Sequence, residues 1–495
     1  MSTHDASRRE LSGLNHEIQS LIERVISLEE RRDVVQQSLD AVIYPVLTLP
    51  TEIISQIFLH CLPTRPVGRP RTSEAPLVLL RVCKRWREIA LVTHGLWQEL
   101  ELSTESFFSA TAERHGLMQA ITNQWFERAG PKLPLSFTFG GYIPHVKSVI
   151  RSIVHHRAKR LRSLTLELPL ENFPRLDPID RDFCLLEKLS LGVMYSGTLF
   201  VNWFLERNLP YDCFSNSPRL REVHLRKPAN PFLFVLPYQQ LTKFTGEGLS
   251  ADECLYLLRL APSLVECKLE IDLDDPPTDI VTRAALPHLR SLSFTRSEAS
   301  NDFEVTNVAV ILDLLNTPVL ERLELVHIPY LHRYARQMHA FLTQVSRSLR
   351  YFSFVGDNEE ALLHPAVARW FKRLPNLTHV EFTRVNKCFT EEFFDMLAKK
   401  ENYLTHLTTL RLLDYGYSFD DGMNLALFTR ASPIPGRRGR VALQEFDLVW
   451  ANRTFSHDLE PYSVTMDKCL WAGMQLYIGT AERNHLIELY PDATE

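Results

Sequence analysis

The fold class this sequence predicts is α/β, in three unlike parts: a coiled-coil-like amphipathic helix, a short segment of three helices, and a long array of repeats whose strands stack in parallel. Two patterns carry that expectation. Apolar residues from Leu11 to Val42 recur with alternating steps of three and four, and a phrase of the form L-x-x-L-x-L returns again and again from Leu161 onward. Composition sets the outer limits. A chain of 495 residues, 45% hydrophobic and 23% charged, has ample material for a core and the length of about two to four domains. Its formal net charge of -5 gives no global basic field, which argues against nucleic acid as a partner. The first ten residues, MSTHDASRRE, are polar with no apolar stretch behind them, and no run of about 18 or more apolar residues occurs. Neither secretion nor a membrane is expected. The eight cysteines form no C-x-x-C pair and mostly sit among apolar neighbours, so they read as buried thiols of a reducing compartment, cytoplasm or nucleus.

Residues 1–43 form the first part. Leu11, Leu14, Ile18, Leu21, Val25, Leu28, Val35, Leu39 and Val42 make a heptad seam broken only by Arg32. The remaining positions are mostly polar, so the apolar stripe is narrow and suits one partner helix. Two partners fit this pattern: a second copy, in a homodimer through residues 11–42, or the chain's own domain by fold-back. In a parallel dimer Arg24 faces Glu29 of the other chain.

Residues 44–102 form the second part. Pro50 is tolerated at a helix start, where its missing N–H would be unpaired anyway. Ile53, Ile54, Ile57, Phe58, Cys61 and Leu62 follow as a stripe wide enough to touch two bodies, and Pro63 ends it. After the loop TRPVGRPRTSEAP, helical periodicity resumes from Leu77 to Ala90, and Leu96-Trp97 closes the segment. Three short helices cannot enclose that many large side chains, so part of this surface should meet another protein.

The order LPTEIISQIFLHCLP, LLRVCKRWREIA, LW resembles an F-box. Leu49, Pro50, Glu52, Ile53, Ile57, Val82, Cys83, Trp86 and Trp97 match its pattern of Leu-Pro-x-Glu-Ile, a Val-Cys-Lys-x-Trp helix and a Leu-Trp end. The resemblance implies a three-helix module in which these residues bind the Skp adaptor and, through it, the cullin and RING subunits of an SCF ubiquitin ligase. The loop from Thr64 to Pro76 is longer and more basic than the compact module requires. Coil, F-box and repeats in this order are also similar to the F-box-like families of mushroom-forming fungi.

Residues 103–140 read as a helical link around Gln124–Glu127 and a first strand at 134–139. From 141 to 495 the recurring phrase governs: LRSLTL from Leu161, LEKLSL from Leu186, LREVHL from Leu220, LVECKL from Leu264, LRSLSF from Leu289, LERLEL from Leu320, LRYFSF from Leu349, LTHVEF from Leu377, LTTLRL from Leu407 and LQEFDL from Leu443. LTKFTG from Leu241 is a degenerate copy. The intervals of roughly 21 to 36 residues bracket the leucine-rich range and exceed it, so the array is an irregular leucine-rich-repeat solenoid with its strands on the concave face. Stretches such as Ala251–Leu260 and Phe303–Leu315 are periodic enough to be return helices, and prolines such as Pro218, Pro262 and Pro318 end the returns just before the strands. The asparagine usual after such a strand is missing, with Pro169, Met194, Pro228 and Ile328 in its place, so each turn must be satisfied individually.

Strand alternation sends the fourth and sixth positions of the phrase inward and the third, fifth and seventh outward. The outward set includes Lys188, Arg226, Glu270, Arg411, Glu445 and Asp447, with Glu222, His224, Glu266, Lys268, Arg322, Glu324, Tyr351, His379 and Glu381 as the candidate contacts for an unknown protein target. A mixed-charge face suits recognition by complementary charge, with Tyr351 as an anchor.

No local constellation for catalysis is present. His155-His156 lacks a third ligand, G-x-S-x-G and H-E-x-x-H are absent, and the acidic runs Asp272–Asp279 and Asp414–Asp421 lack calcium-loop spacing. Arg437, Arg438 and Arg440 make a basic loop. No cofactor, metal or enzymatic activity is expected. Two functions fit: a substrate-recognition subunit of an SCF-type ligase, or a non-catalytic binding scaffold oligomerised by its coil.

Overall fold

The computed structural model describes residues 2–40, 48–63, 70–103, 112–140, 156–169, 173, 183–194, 210–226, 229, 231–272, 277–297, 307–328, 330–356, 363–431, 440–451 and 459–486. Val42, Tyr44, Pro45, His155, Pro228, Arg437 and Arg438 lie outside them, as do residues 64–69 of the proline-rich loop. The chain divides into two compact units, Met1–Trp97 and Gln98–Glu495.

In the first unit the heptad series becomes one continuous helix, α1 (Ser2–Asp40). Its seam is open: Leu11, Leu14, Ile18, Leu21, Val25, Leu28, Val35 and Leu39 are each at least half exposed. Helix α2 (Thr51–His60) starts one residue after Pro50, which is its N-cap, with the Ile53 and Ile54 N–H groups donating to the Pro50 carbonyl at 3.1 Å. The stretch expected as one helix from Leu77 to Ala90 is instead broken into α3 (Leu79–Val82) and α4 (Lys84–Val92) by extended Cys83. The break has a use. Cys83 Sγ caps α4 by accepting from the Trp86 N–H at 3.5 Å, one of the orphan donors that a helix start leaves. Ile54, Phe58, Leu79, Ile89, Ala90, Leu96 and Trp97 form the core, and Phe58 meets Trp86 with ring centroids 4.9 Å apart.

Among the described residues the second unit is organised by a fifteen-stranded sheet. Its strands are β1 (Glu99–Ser103), β2 (Leu135–Gly140), β3 (Leu161–Pro169), β4 (Lys188–Met194), β5 (Glu222–Arg226), β6 (Lys243–Leu249), β7 (Glu266–Ile271), β9 (Ser291–Arg296), β11 (Arg322–Val326), β12 (Tyr351–Val355), β13 (His379–Thr383), β14 (Thr409–Tyr415), β15 (Glu445–Trp450), β16 (Gln475–Thr480) and β17 (Arg483–Asn484). They lie in sequence order, all in parallel except the final antiparallel pair β16–β17. Strands β8 (Ala284–Ala285) and β10 (Leu315–Asn316) pair apart from it. The sheet thus begins at Glu99, before the strand at 134–139 that the pattern marks as first. The boundary of the helical segment falls at Trp97 and not at 102.

Each phrase from Leu161 onward sets its leucines inward, as the alternation requires. Leu164, Leu166, Val223, Leu225, Leu323, Leu325, Phe446 and Leu448 are all buried. The degenerate copy has a mechanical explanation. Gly246 stands where an inward leucine belongs, and a side chain there would collide with Leu249 and Phe244. A bulge between Gly246 and Leu249, with Gly248 at a left-handed φ of 60°, turns Leu249 into the vacant slot, where it is fully buried.

Helices α5 (Ala112–Arg128), α6 (Ala251–Leu260), α7 (Asn307–Asp313), α8 (Ala335–Val345), α9 (Lys387–Lys399), α10 (Asp421–Arg430) and α11 (Ser463–Trp471) connect strands. α6 has the bounds the pattern gives and starts with a complete capping box, Ser250 and Glu253. α7 stops short of Leu315, because Leu315-Asn316 leaves the helix to pair with Ala284-Ala285. Phe371, Phe389 and Phe393 from the returns stack edge-to-face on Phe382 of β13, which fixes the leucine side of the sheet as the helix-covered side. Buried Arg430 donates to the carbonyls of Leu397, Tyr403 and Leu404, ending α9, and burial pushes its guanidinium down to about 9.

The missing asparagines are replaced by backbone. Just past the strands, the N–H of His327 donates to Val355 O at 2.7 Å, that of Gly356 to Thr383 O at 2.8 Å, and that of Arg384 to Leu413 O at 3.0 Å. His327 and Arg384 take left-handed φ values of 58° and 54° to do so. The cysteines depart from expectation. Cys213, Cys254, Cys267 and Cys469 are buried, but Cys61 and Cys388 are exposed and Cys83 and Cys184 half-buried, because helix ends and turns reach solvent even beside apolar neighbours.

Candidate functional site

Two surfaces stand out, one in each unit. On α2, Ile54 and Phe58 occupy the core, while Ile53 and Ile57, one residue earlier in each turn, are 48% and 40% exposed. A spacing of four puts Ile53 and Ile57 on one helix face, which continues to exposed Cys61. Val82 is also exposed, at 54%. Pro50 and Glu52 are exposed, the latter in the first turn, where a carboxylate favours the helix dipole by about 0.3–1 kcal/mol. Leu49, Cys83 and Trp86 are half-buried, and Arg85 Nη2 reaches the Leu49 carbonyl at 3.4 Å. Trp97 departs from the contact set. It is fully buried with its Nε1–H donating to Ala90 O at 2.9 Å, so it holds the module together from inside.

In the second unit every candidate target residue lies on the sheet's open face, none of them buried. Parallel register aligns them in rows. One runs Lys188, Glu222, Lys243, Glu266, Ser291, Arg322, Tyr351, His379, Thr409, Glu445. The next runs Ser190, His224, Thr245, Lys268, Ser293, Glu324, Ser353, Glu381, Arg411, Asp447.

From β4 to β7 the charges are spent on one another. Lys188 Nζ lies 2.8 Å from Glu222, and Lys243 bridges Glu222 at 3.8 Å and Glu266 at 3.3 Å. Lys268 approaches Glu266 at 3.8 Å, and His224 Nε2 lies 2.7 Å from Glu247. From β11 to β15 the chemistry changes. Arg322 pairs with Glu324 at 2.6 Å and lays its guanidinium over the Tyr351 ring, 3.7 Å from the centroid. Burial, aided by Glu381, raises the Tyr351 hydroxyl. Arg411 holds Glu445 at 2.5 Å and Asp447 at 3.1 Å. The hydrogen bond to Glu445 raises Arg411, while burial and then neighbouring Glu445 raise Asp447 against the pull of Arg411.

A third row is aliphatic apart from Thr383. Val326, Val355, Thr383 and Leu413 face outward in register, half-buried beside those charges. Sequence reasoning passed over it, although the signal was available: these residues hold the seventh, outward position of their phrases, where an aliphatic residue reads by habit as core.

Among the described residues no group of three or more His, Cys, Asp and Glu side chains is placed to hold a metal, and no helix is long and apolar enough to cross a membrane. No protein-family model matches the chain, and no curated protein matches it.

Proposed function

We propose that this protein is a non-catalytic substrate receptor: its F-box-like segment docks on the Skp adaptor of an SCF-type ubiquitin ligase, and the open sheet face of an irregular leucine-rich-repeat array holds the protein to be modified. The observation that carries the reading is α2, which fills a core with Ile54 and Phe58 and leaves Ile53 and Ile57 open to solvent. An exposed apolar strip on a capped helix is what a docking contact needs and a self-contained subdomain does not. The target-holding part of the sheet is the stretch from β11 to β15. There an apolar row, an arginine-stacked tyrosine and an excess of carboxylates (Glu324, Glu381, Glu445 and Asp447 against Arg322 and Arg411) adjoin. That combination fits a basic segment carrying aliphatic side chains.

The test is co-purification of the full chain with adaptor and cullin, beside a variant carrying Ile53→Asp and Ile57→Asp. The wild type should bring down both subunits stoichiometrically. The variant should lose them while its sheet unit stays folded, since unpartnered charges in an apolar contact cost several kcal/mol, roughly 100-fold or more in affinity. Recovery of the wild type without adaptor overturns the ligase reading and leaves a binding scaffold. Undiminished capture by the folded variant moves the contact elsewhere.

A further inference from the structure

Helix α1 presents an open seam along its length, and the residue types in that seam are sorted. With Leu11 as the first core position of its heptad (a), the a positions are Leu11, Ile18, Val25, Arg32 and Leu39, and the d positions within the described helix are Leu14, Leu21, Leu28 and Val35. In the middle of the helix Ile18 and Val25 at a alternate with Leu14, Leu21 and Leu28 at d, and β-branched residues at a with leucine at d favour two parallel strands over three or four. The flanking g and e positions agree. In a parallel pair Arg24 (g) meets Glu29 (e) of the second copy, Glu10 meets Asn15, Glu17 meets Ile22 and Arg31 meets Gln36, so no g–e contact sets like charges together. Arg24 and Glu29 are five residues apart on one helix, a spacing at which they do not face each other. They therefore do not neutralise each other within one helix and are placed to pair across a parallel partner.

Arg32 is the one charged residue in the seam. Its guanidinium is held by Asp33 of the same helix at 2.8 Å, so it carries its own counter-ion. A single polar a position fixes register and strand number at a cost in stability.

We infer that α1 binds the α1 of a second copy in a parallel, in-register two-stranded coil, so that each particle carries two docking helices and two sheet faces. This inference is independent of the ligase reading and holds for a scaffold as well. Paired faces on one particle raise the effective concentration of the second contact for any target that repeats its recognised segment.

The test uses the full chain and a charge exchange. Wild type should sediment as a dimer at micromolar concentration. Arg24→Glu and Glu29→Arg should each weaken the homodimer about fivefold to thirtyfold, since two attractive contacts become repulsive. Mixed together and labelled with donor and acceptor dyes, the two variants should form a heterodimer near wild-type strength, because each restores the contacts the other lost. Arg32→Leu should tighten the dimer about tenfold or more by replacing a buried-seam charge with an apolar side chain. A monomeric wild type, a trimer or larger, or a dimer that survives removal of residues 1–43 overturns the inference. Failure of the mixed variants to pair overturns the parallel arrangement.

Discussion

Strands β4–β7 and β11–β15 share parallel pairing and a buried apolar inner face, but they offer a partner different things. In the first group Lys188, Glu222, Lys243 and Glu266 alternate in sign across register-matched strands, and each satisfies its neighbour. In the second, one arginine stacks on an aromatic ring, another is shared by two carboxylates, and an apolar row runs alongside. Direction along a strand is therefore only half of what makes a binding residue. The other half is what occupies the same row one strand away. Exposed pairs that neutralise each other contribute little to stability, about 0–1 kcal/mol, and leave little field to attract a ligand.

The largest effects should show that the two regions are equal inside. Leu225→Ala in β5 and Leu323→Ala in β11 both remove fully buried side chains and should each cost about 2–5 kcal/mol in urea denaturation. A small loss for one of them would mean that its strand register differs from that described.

A second experiment sharpens the contrast through pH. Asp447 in the folded protein titrates above the ordinary aspartate range, mainly through burial and Glu445. The folded state thus binds this proton more tightly than the unfolded state does. Its contribution to stability is complete below the unfolded value, near pH 4, and is lost as pH rises through the raised folded value. Asp447→Asn should flatten that part of the stability profile, measured as thermal midpoints between pH 4 and 7. An unaltered profile for Asp447→Asn would show that Arg411 offsets the burial completely.

The smallest effect concerns the charge ladder. Lys243→Ala removes the lysine shared by Glu222 and Glu266 and should cost about 0.2–1 kcal/mol at low salt and less at high salt. A larger, salt-independent loss would show that the ladder is a structural network.

The positions where sequence reasoning stopped share a cause. The inward phase of LERLEL or LREVHL is legible because period-two alternation is a property of the strand alone. The helix at Ala251–Leu260 is legible for the same reason, since its cap and its periodicity are local. Cys83 is different. Its role as a cap depends on a backbone break inside a periodic run, and the run itself gives no sign of it. Trp97 fits the contact pattern in the sequence, and only its buried indole on Ala90 O places it in the core. Val326, Val355 and Leu413 become a row only when their strands are aligned.

The sequence by itself determined the order of the parts, the direction of strand side chains away from the bulges and the content of the α1 apolar stripe, because each follows from spacing along one chain. Tertiary structure decided which charges remain available. That depends on the pairing of Lys243 with Glu222 and Glu266, some twenty residues away on either side, and of Arg411 with Glu445 and Asp447 on the next strand. Coulomb attraction acts over a few ångströms of space whatever the separation along the chain, and only the folded register brings those partners within reach.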